Sequence, residues 1–313
     1  AAAGIPVQTP NPTAAVADGV RLAVIVPITA PADTVGLIPS DALATLTAPT
    51  GLLTAQLDAV AGAGVILAID PMILASIRVL GTAAPASAKA WLARLEAEPN
   101  ERFALPYADA DPTLFTQSSA GGVLAPTGFA FAINPENFAE PAATVAPTAT
   151  PLPTADPTPA SDPDALTAVP TDAEVIAVPG AVPGVAWPRV GTVAEADLAA
   201  LGTTTLLLAA ADVDGAVSGI ATIDGIRALV IDPAVSAAVQ AAATAADEIT
   251  WTTAATAATA ALVDSVSGQT TTSPTVVVAL DRLAAATAPR LAATLAAITA
   301  DPAIALVGLA ALD

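Results

Sequence analysis

Apolar runs that end in a carboxylate recur along this chain. Their residues are mainly aliphatic and often β-branched, which is typical of parallel strands buried on both faces. In parallel α/β folds the carboxyl ends of the strands lie at one edge, where polar site residues gather. Four such runs stand at 65–70, 103–109, 227–232 and 276–281. The repetition predicts an α/β fold with an acidic rim at that edge.

Short apolar runs alternate with longer helical stretches, which is the pattern of an α/β protein. The alternation predicts a (β/α) barrel-like domain of seven or eight strand-helix units, enough to close a distorted barrel. We predict strands at 22–28, 65–69, 102–107, 129–133, 185–188, 203–210, 226–231, 275–280 and 303–309. We predict helices at 43–61, 71–80, 86–98, 192–202, 233–246, 254–266 and 283–298.

A stretch rich in Pro, Thr, Ala and Asp interrupts this alternation at about 140–184. Such a composition favours extended, hydrated chain, so we interpret it as a surface insertion and a candidate glycan acceptor on Thr. A linker between two domains is the alternative. We prefer the insertion because the strand-helix pattern resumes after it. The expected organisation is therefore an extension at 1–20 and one domain at 21–313.

The charge and the absent residue types exclude several classes of function. A formal net charge of −20 disfavours nucleic acid and anionic lipid surfaces as partners. The chain has no Cys and no His, which excludes thiolate nucleophiles, zinc-hydrolase sites and Ser-His-Asp triads. No phosphate-binding or dinucleotide-binding loop is present, so we expect no cofactor and no metal centre. Cation binding by the acidic rim stays open as a further hypothesis.

Carboxylates are the remaining candidates for catalysis. Asp70, Asp111 and Asp232 each precede a Pro where a strand gives way to a helix, as helix N-caps do. The same acids, with Asp109, could instead form the pair of carboxylates that a glycosidase requires. Both interpretations stay open, and the catalytic candidates are Asp70, Asp109, Asp111 and Asp232.

Aromatic and charged residues at predicted strand ends are the candidates for ligand binding. An aromatic ring beside carboxylates can hold a sugar, because the ring packs on C–H groups while the acids bind hydroxyls. Ordinary core packing is the alternative for any single Trp. The ligand-binding candidates are Tyr107, Trp187, Arg189 and Asp281.

Several segments of the first half are similar to a family of actinobacterial cell-envelope proteins, a domain of unknown function encoded near the flippase for lipid-linked peptidoglycan precursors. The matching segments are residues 22–29, 67–71, 90–92 and 104–109. The resemblance implies an extracytoplasmic ectodomain with a signal sequence upstream and a membrane anchor downstream of a soluble fragment. It also implies a barrel similar in outline to polysaccharide deacetylases, whose metal-binding histidines have no counterpart here.

Two functions follow as hypotheses. The first is a non-catalytic binding or scaffolding domain in assembly of the cell envelope, with a cell-wall glycan or an envelope protein as partner. The second is a carboxylate-dependent glycoside hydrolase, or a degenerate relative, that acts on a cell-wall glycan.

Overall fold

The computed structural model describes residues 19–31, 34, 36–118, 126–138, 168–215, 218–267, 273–282 and 284–312. Residues 1–18, and with them nearly all of the expected extension, lie outside the described part. Most of the expected insertion at 140–184 also lies outside it. In the described ranges, no helix combines the length and the apolar character that crossing a membrane requires.

One mixed sheet organises these residues. Its strands are β1 (Val20–Ile28), β2 (Ile66–Ile69), β3 (Arg102–Ala104), β4 (Val185–Ala186), β5 (Thr205–Ala209), β6 (Gly219–Ile223), β7 (Ile226–Ile231), β8 (Thr275–Ala279) and β9 (Ile304–Leu306). The hydrogen-bonded order is β3-β2-β1-β8-β7-β5-β4, and neighbours along it are parallel. In addition, β9 pairs parallel with the start of β1, and β6 pairs antiparallel with β7.

The sheet curls into an open half-barrel. Strands β3 and β4 stand at opposite ends of the strand order, yet Asp109 after β3 forms an ion pair with Arg189 after β4. Among the described residues, one isolated bridge between Arg102 and Ala181 spans the gap between the end strands. The barrel-like α/β fold is therefore confirmed, but within the described residues the barrel is not closed, since β3 and β4 share no ladder.

Helices follow the strands and cover the convex face. They are α1 (Ser40–Leu46), α2 (Leu52–Val60), α3 (Pro71–Arg78), α4 (Ala86–Ala97), α5 (Pro112–Gln117), α6 (Asp172–Ile176), α7 (Leu198–Leu201), α8 (Pro233–Ala243), α9 (Glu248–Val266) and α10 (Leu291–Ile298). Three of them begin with an Asp N-cap followed by Pro, namely α3, α5 and α8. The Asp oxygen accepts a free backbone N–H, and Pro suits the first helical position.

The alternation of side chains along the strands divides the core between the two faces of the sheet. On β1, Leu22, Val24 and Val26 face the helices. Ala23 and Ile25 point to the other face, where they pack in a cluster that includes Phe103 and Trp187. Both faces are buried, so these strands read as continuous apolar runs in the sequence.

Two segments near the expected insertion differ from the expectations. Residues 129–133 form a turn rather than a strand, in which Phe129 is buried while Phe131 is 84% exposed. The end of the expected insertion contains α6, which begins with a capping box between Thr171 and Glu174. Val175 of α6 packs in a small core cluster with Ala75 of α3. Burial of this residue explains why a Pro-rich region still ends in a helix.

Candidate functional site

Two adjoining cavities lie at the carboxyl edge of the sheet, and we call this region the mouth. The smaller cavity has a volume of about 140 Å³ and is polar, with Thr29, Asp70 and Asp109 in its wall. The larger has a volume of about 770 Å³, and we call it the groove. Arg189 and Arg282 line both cavities, so they form the boundary between them. The groove has the usual size of a ligand site and lies where parallel α/β sheets place one.

Asp109 forms ion pairs with two arginines of the mouth. Arg282 Nε donates to both of its carboxylate oxygens, at 3.2 and 2.9 Å. Arg189 Nη2 donates to Asp109 Oδ2 at 3.1 Å and to the Asp109 carbonyl at 3.2 Å. The three residues follow β3, β4 and β8, so one carboxylate ties together the ends of the curled sheet and its middle strand.

The backbone at Ala108 and Asp109 is left-handed, with φ of 59° and 48°. Residues with a side chain seldom adopt this conformation, which costs roughly 1–2 kcal/mol for each residue. The conformation directs the Ala108 N–H to Asp70 Oδ1 at 2.9 Å. The same oxygen accepts from Met72 N at 2.9 Å as the N-cap of α3. Asp70 therefore joins the end of β2 to the strained loop after β3.

Burial dominates the ionisation of Asp70, which is 1% exposed. Its pKa is raised to about 7, chiefly by desolvation and also by the nearby Asp109 carboxylate, against the lowering effect of the backbone hydrogen bonds. Burial, and secondarily the charge of Asp70, raises the pKa of Tyr107 to about 12. The mouth thus contains one carboxyl group that changes its charge near neutral pH, beside a carboxylate held in ion pairs.

The two aromatic candidates are packed rather than free. The guanidinium of Arg282 lies 3.8 Å from the centroid of the Trp187 ring, and Trp187 is only 7% exposed. The Tyr107 ring contacts Phe129, and its hydroxyl lies 3.4 Å from the Gly36 carbonyl oxygen. Trp187 is part of the groove wall, whereas Tyr107 lines neither cavity. Neither ring presents an open face of the kind expected for a sugar platform.

The remaining candidates divide between the mouth and the helix caps. Asp281 lines the groove and is held by Gln240, with hydrogen bonds of 2.8 Å in both directions. Asp111 caps α5, while Asp232 caps α8 and also accepts from Ser265 Oγ at 2.5 Å. Neither Asp111 nor Asp232 lines a cavity of the mouth. The structure thus brings Asp70, Asp109, Trp187, Arg189 and Asp281 together.

The sequence interpretation missed Arg282 and Thr29 as site residues. Arg282 pairs with Asp109, which lies 173 residues earlier in the chain. Thr29 directly follows β1 and is 2% exposed, and its hydroxyl has no hydrogen-bond partner in the described part of the chain. The position of both residues at a strand end is the one signal that could have identified them.

Within the described ranges, no three acidic side chains converge in a way that could hold a metal ion. Comparison with protein-family models, with curated proteins and with solved structures finds no match for this chain. The candidate site therefore stands on its geometry alone.

Proposed function

We propose that this chain is a non-catalytic, extracytoplasmic binding domain in the assembly of an actinobacterial cell envelope, and that its ligand is a cell-wall glycan. The observation that carries the proposal is the groove of about 770 Å³ at the carboxyl edge of the sheet. The residues that line the groove combine small apolar side chains with a few polar groups, as ligand sites commonly do. The envelope setting rests on the resemblance of residues 22–29, 67–71, 90–92 and 104–109.

The bonding of the four candidate carboxylates supports binding rather than catalysis. Asp111 and Asp232 are occupied as helix caps. Both oxygens of Asp109 accept from arginines, so a nucleophilic attack by this group would first have to break an ion pair. Asp70 Oδ1 already accepts two backbone N–H groups. Each of these acids thus has a structural role that explains its presence.

Filling the groove tests the proposal. Ala237 is exposed on α8 and lines the groove, whereas Ala234 is exposed on the same helix and does not. We expect Ala237→Trp to abolish binding of soluble oligosaccharides released from an actinobacterial cell wall, as measured by calorimetric titration. The matched control Ala234→Trp should bind like the wild type. Absence of binding to the wild type, or equal binding by both variants, would overturn the proposal.

A glycoside hydrolase is the second candidate, and one observation favours it. Asp70 has a pKa of about 7 and lies near the ion-paired Asp109, which resembles the acid and base assignments of glycosidases. Incubation of the same oligosaccharides with the protein, followed by an assay for new reducing ends, separates the two functions. We expect no turnover. Turnover that Asp70→Asn removes would establish the hydrolase instead.

A further inference from the structure

The orientation of the Arg282 guanidinium is fixed, but only some of its N–H groups donate hydrogen bonds to the described residues. Its Nε bonds to Asp109 and its plane lies over the Trp187 ring, so two independent contacts set its orientation. In the described part of the chain, neither of its terminal Nη groups has a hydrogen-bond acceptor. These two groups form the edge of the fork that binds a carboxylate or a phosphate with two parallel hydrogen bonds.

This unused edge lies at the boundary between the two cavities of the mouth. Arg282 is part of the wall of both, and its side chain is 21% exposed. Arg189 stands beside it with its side chain 51% exposed, and its bonds to the described residues all come from Nη2. A ligand in the groove would therefore meet two guanidinium groups at one end.

Two neighbouring arginines are unusual in a chain as acidic as this one. The chain has 29 acidic and nine basic residues, and two of those nine meet at the mouth. One carboxylate, that of Asp109, pairs with both of them, and Asp281 is held by Gln240 instead. An anion is repelled by most of an acidic surface, so a site for one requires cationic donors such as these two guanidinium groups, although the carboxylates of Asp109 and Asp281 balance their charge.

We propose that Arg282, assisted by Arg189, anchors an anionic group, either a carboxylate or a phosphate, of a glycan whose remainder occupies the groove. This assignment rests on the proposed function and specifies its ligand class. The anion accepts two hydrogen bonds from the Arg282 Nη groups, while Asp109 and Trp187 keep the fork from rotating. Preorganisation of this kind lowers the entropic cost of binding.

A set of sugars that share one ring and differ in charge tests the assignment. The probes are glucose, glucuronate, glucose 1-phosphate and glucosamine, titrated at constant ionic strength and pH 6. We expect glucuronate or glucose 1-phosphate to bind about 10-fold to 100-fold more tightly than glucose, the range for hydrogen bonds to charged groups. The tighter of the two identifies the source of the anion. Equal affinities, or tightest binding of glucosamine, would overturn the assignment.

Inorganic phosphate separates a glycan site from a site for a free ion. We expect it to bind more weakly than glucose 1-phosphate, because it makes no contact with the groove. If it bound as tightly, the assignment to a glycan would be wrong. If instead the cell-wall oligosaccharides bound the groove with no preference for charge, this inference would fail while the proposed function stood.

Two variants should change the preference in opposite directions. Arg282→Gln should remove the preference for the anionic sugars. Asp109→Asn should increase it, because Asn removes a negative charge beside the fork while its Oδ1 can still accept from Arg282 Nε and hold the fork in place. Asn tolerates the left-handed backbone at position 109.

The matched control is Arg290→Gln. Arg290 lies 5.7 Å from the Trp251 ring and pairs with Glu248, but it lines neither cavity of the mouth. We expect the preference of this variant to equal that of the wild type, and an equal loss in Arg282→Gln and Arg290→Gln would contradict a local role. Thermal unfolding of each variant shows whether it folds. If Arg282→Gln fails to fold, the test depends on Asp109→Asn. An unchanged preference of this variant for the anionic sugars would overturn the assignment.

Discussion

Replacement of Asp70 by Asn should change how the stability of this protein depends on pH. Burial raises the pKa of Asp70 from an ordinary value of 3.8 to about 7, so the folded protein keeps a proton that the unfolded chain releases. Stability conferred by the protonated form is therefore lost as pH rises from about 4 to 7. From these two pKa values, the loss amounts to about 4 kcal/mol in full and about 2–3 kcal/mol between pH 5 and pH 8.

Asn is a close match in shape and carries no titratable charge. Its Oδ1 can still accept from Met72 N and Ala108 N, which holds the loop in place. We expect the free energy of unfolding of the wild type to fall by about 2–3 kcal/mol relative to Asp70→Asn between pH 5 and pH 8. Urea unfolding at a series of pH values, followed by tryptophan fluorescence, measures this difference.

The difference between the two curves isolates Asp70 from the charged and titratable groups that face it, which are Asp109, Tyr107 and the two arginines of the mouth. Asp247→Asn is the matched control, because Asp247 also caps a helix but its pKa is lowered by its hydrogen bonds to Thr250. Its contribution is constant between pH 5 and pH 8. Parallel curves for the wild type and Asp70→Asn would refute the argument from burial.

Three further substitutions test the local structure. Ala108→Gly should stabilise the protein by roughly 0.5–1 kcal/mol in urea unfolding, because φ of 59° suits glycine; a loss of stability would contradict the assigned strain. Asp232→Ala should cost about 1–2 kcal/mol by removing the cap of α8, yet leave glycan affinity unchanged in calorimetry; an altered affinity would place it in the site. Arg78→Ala should speed hydrogen exchange of the α6 amides about 10-fold, because Arg78 donates to three carbonyls of that segment, and unchanged protection would refute this.

The predictability of the strands depended on where their side chains are buried. Strands β1, β2, β7 and β8 were predicted near their observed bounds, because burial on both faces leaves a continuous apolar run in the sequence. Strand β6 was not predicted, because it begins with Gly219 and alternates between buried and half-buried residues. The segment 129–133 alternates large and small apolar residues in the sequence but forms a turn, and no strand pairs with it among the described residues.

The sequence predicted that site residues lie at strand ends, but it did not predict which residues they contact. The run of apolar residues before Asp70 showed that this acid follows a buried strand, and the pair Asp70–Pro71 showed that it starts a helix. The same local rule identified Asp111 and Asp232 as caps, and in the structure both cap a helix without lining a cavity of the mouth. A local pattern contains no information on which caps also face a cavity.

By itself the sequence determined an acidic α/β domain whose strand ends carry the polar groups, because burial and helix capping act on neighbouring residues. Only the tertiary structure decided that Arg189 and Arg282 would meet at Asp109, since the curl of the sheet brings the ends of β3 and β4 together. It also decided the pKa of Asp70, which depends on burial among groups distant in the chain. The electrostatics of the mouth are a property of this long-range geometry and not of any local motif.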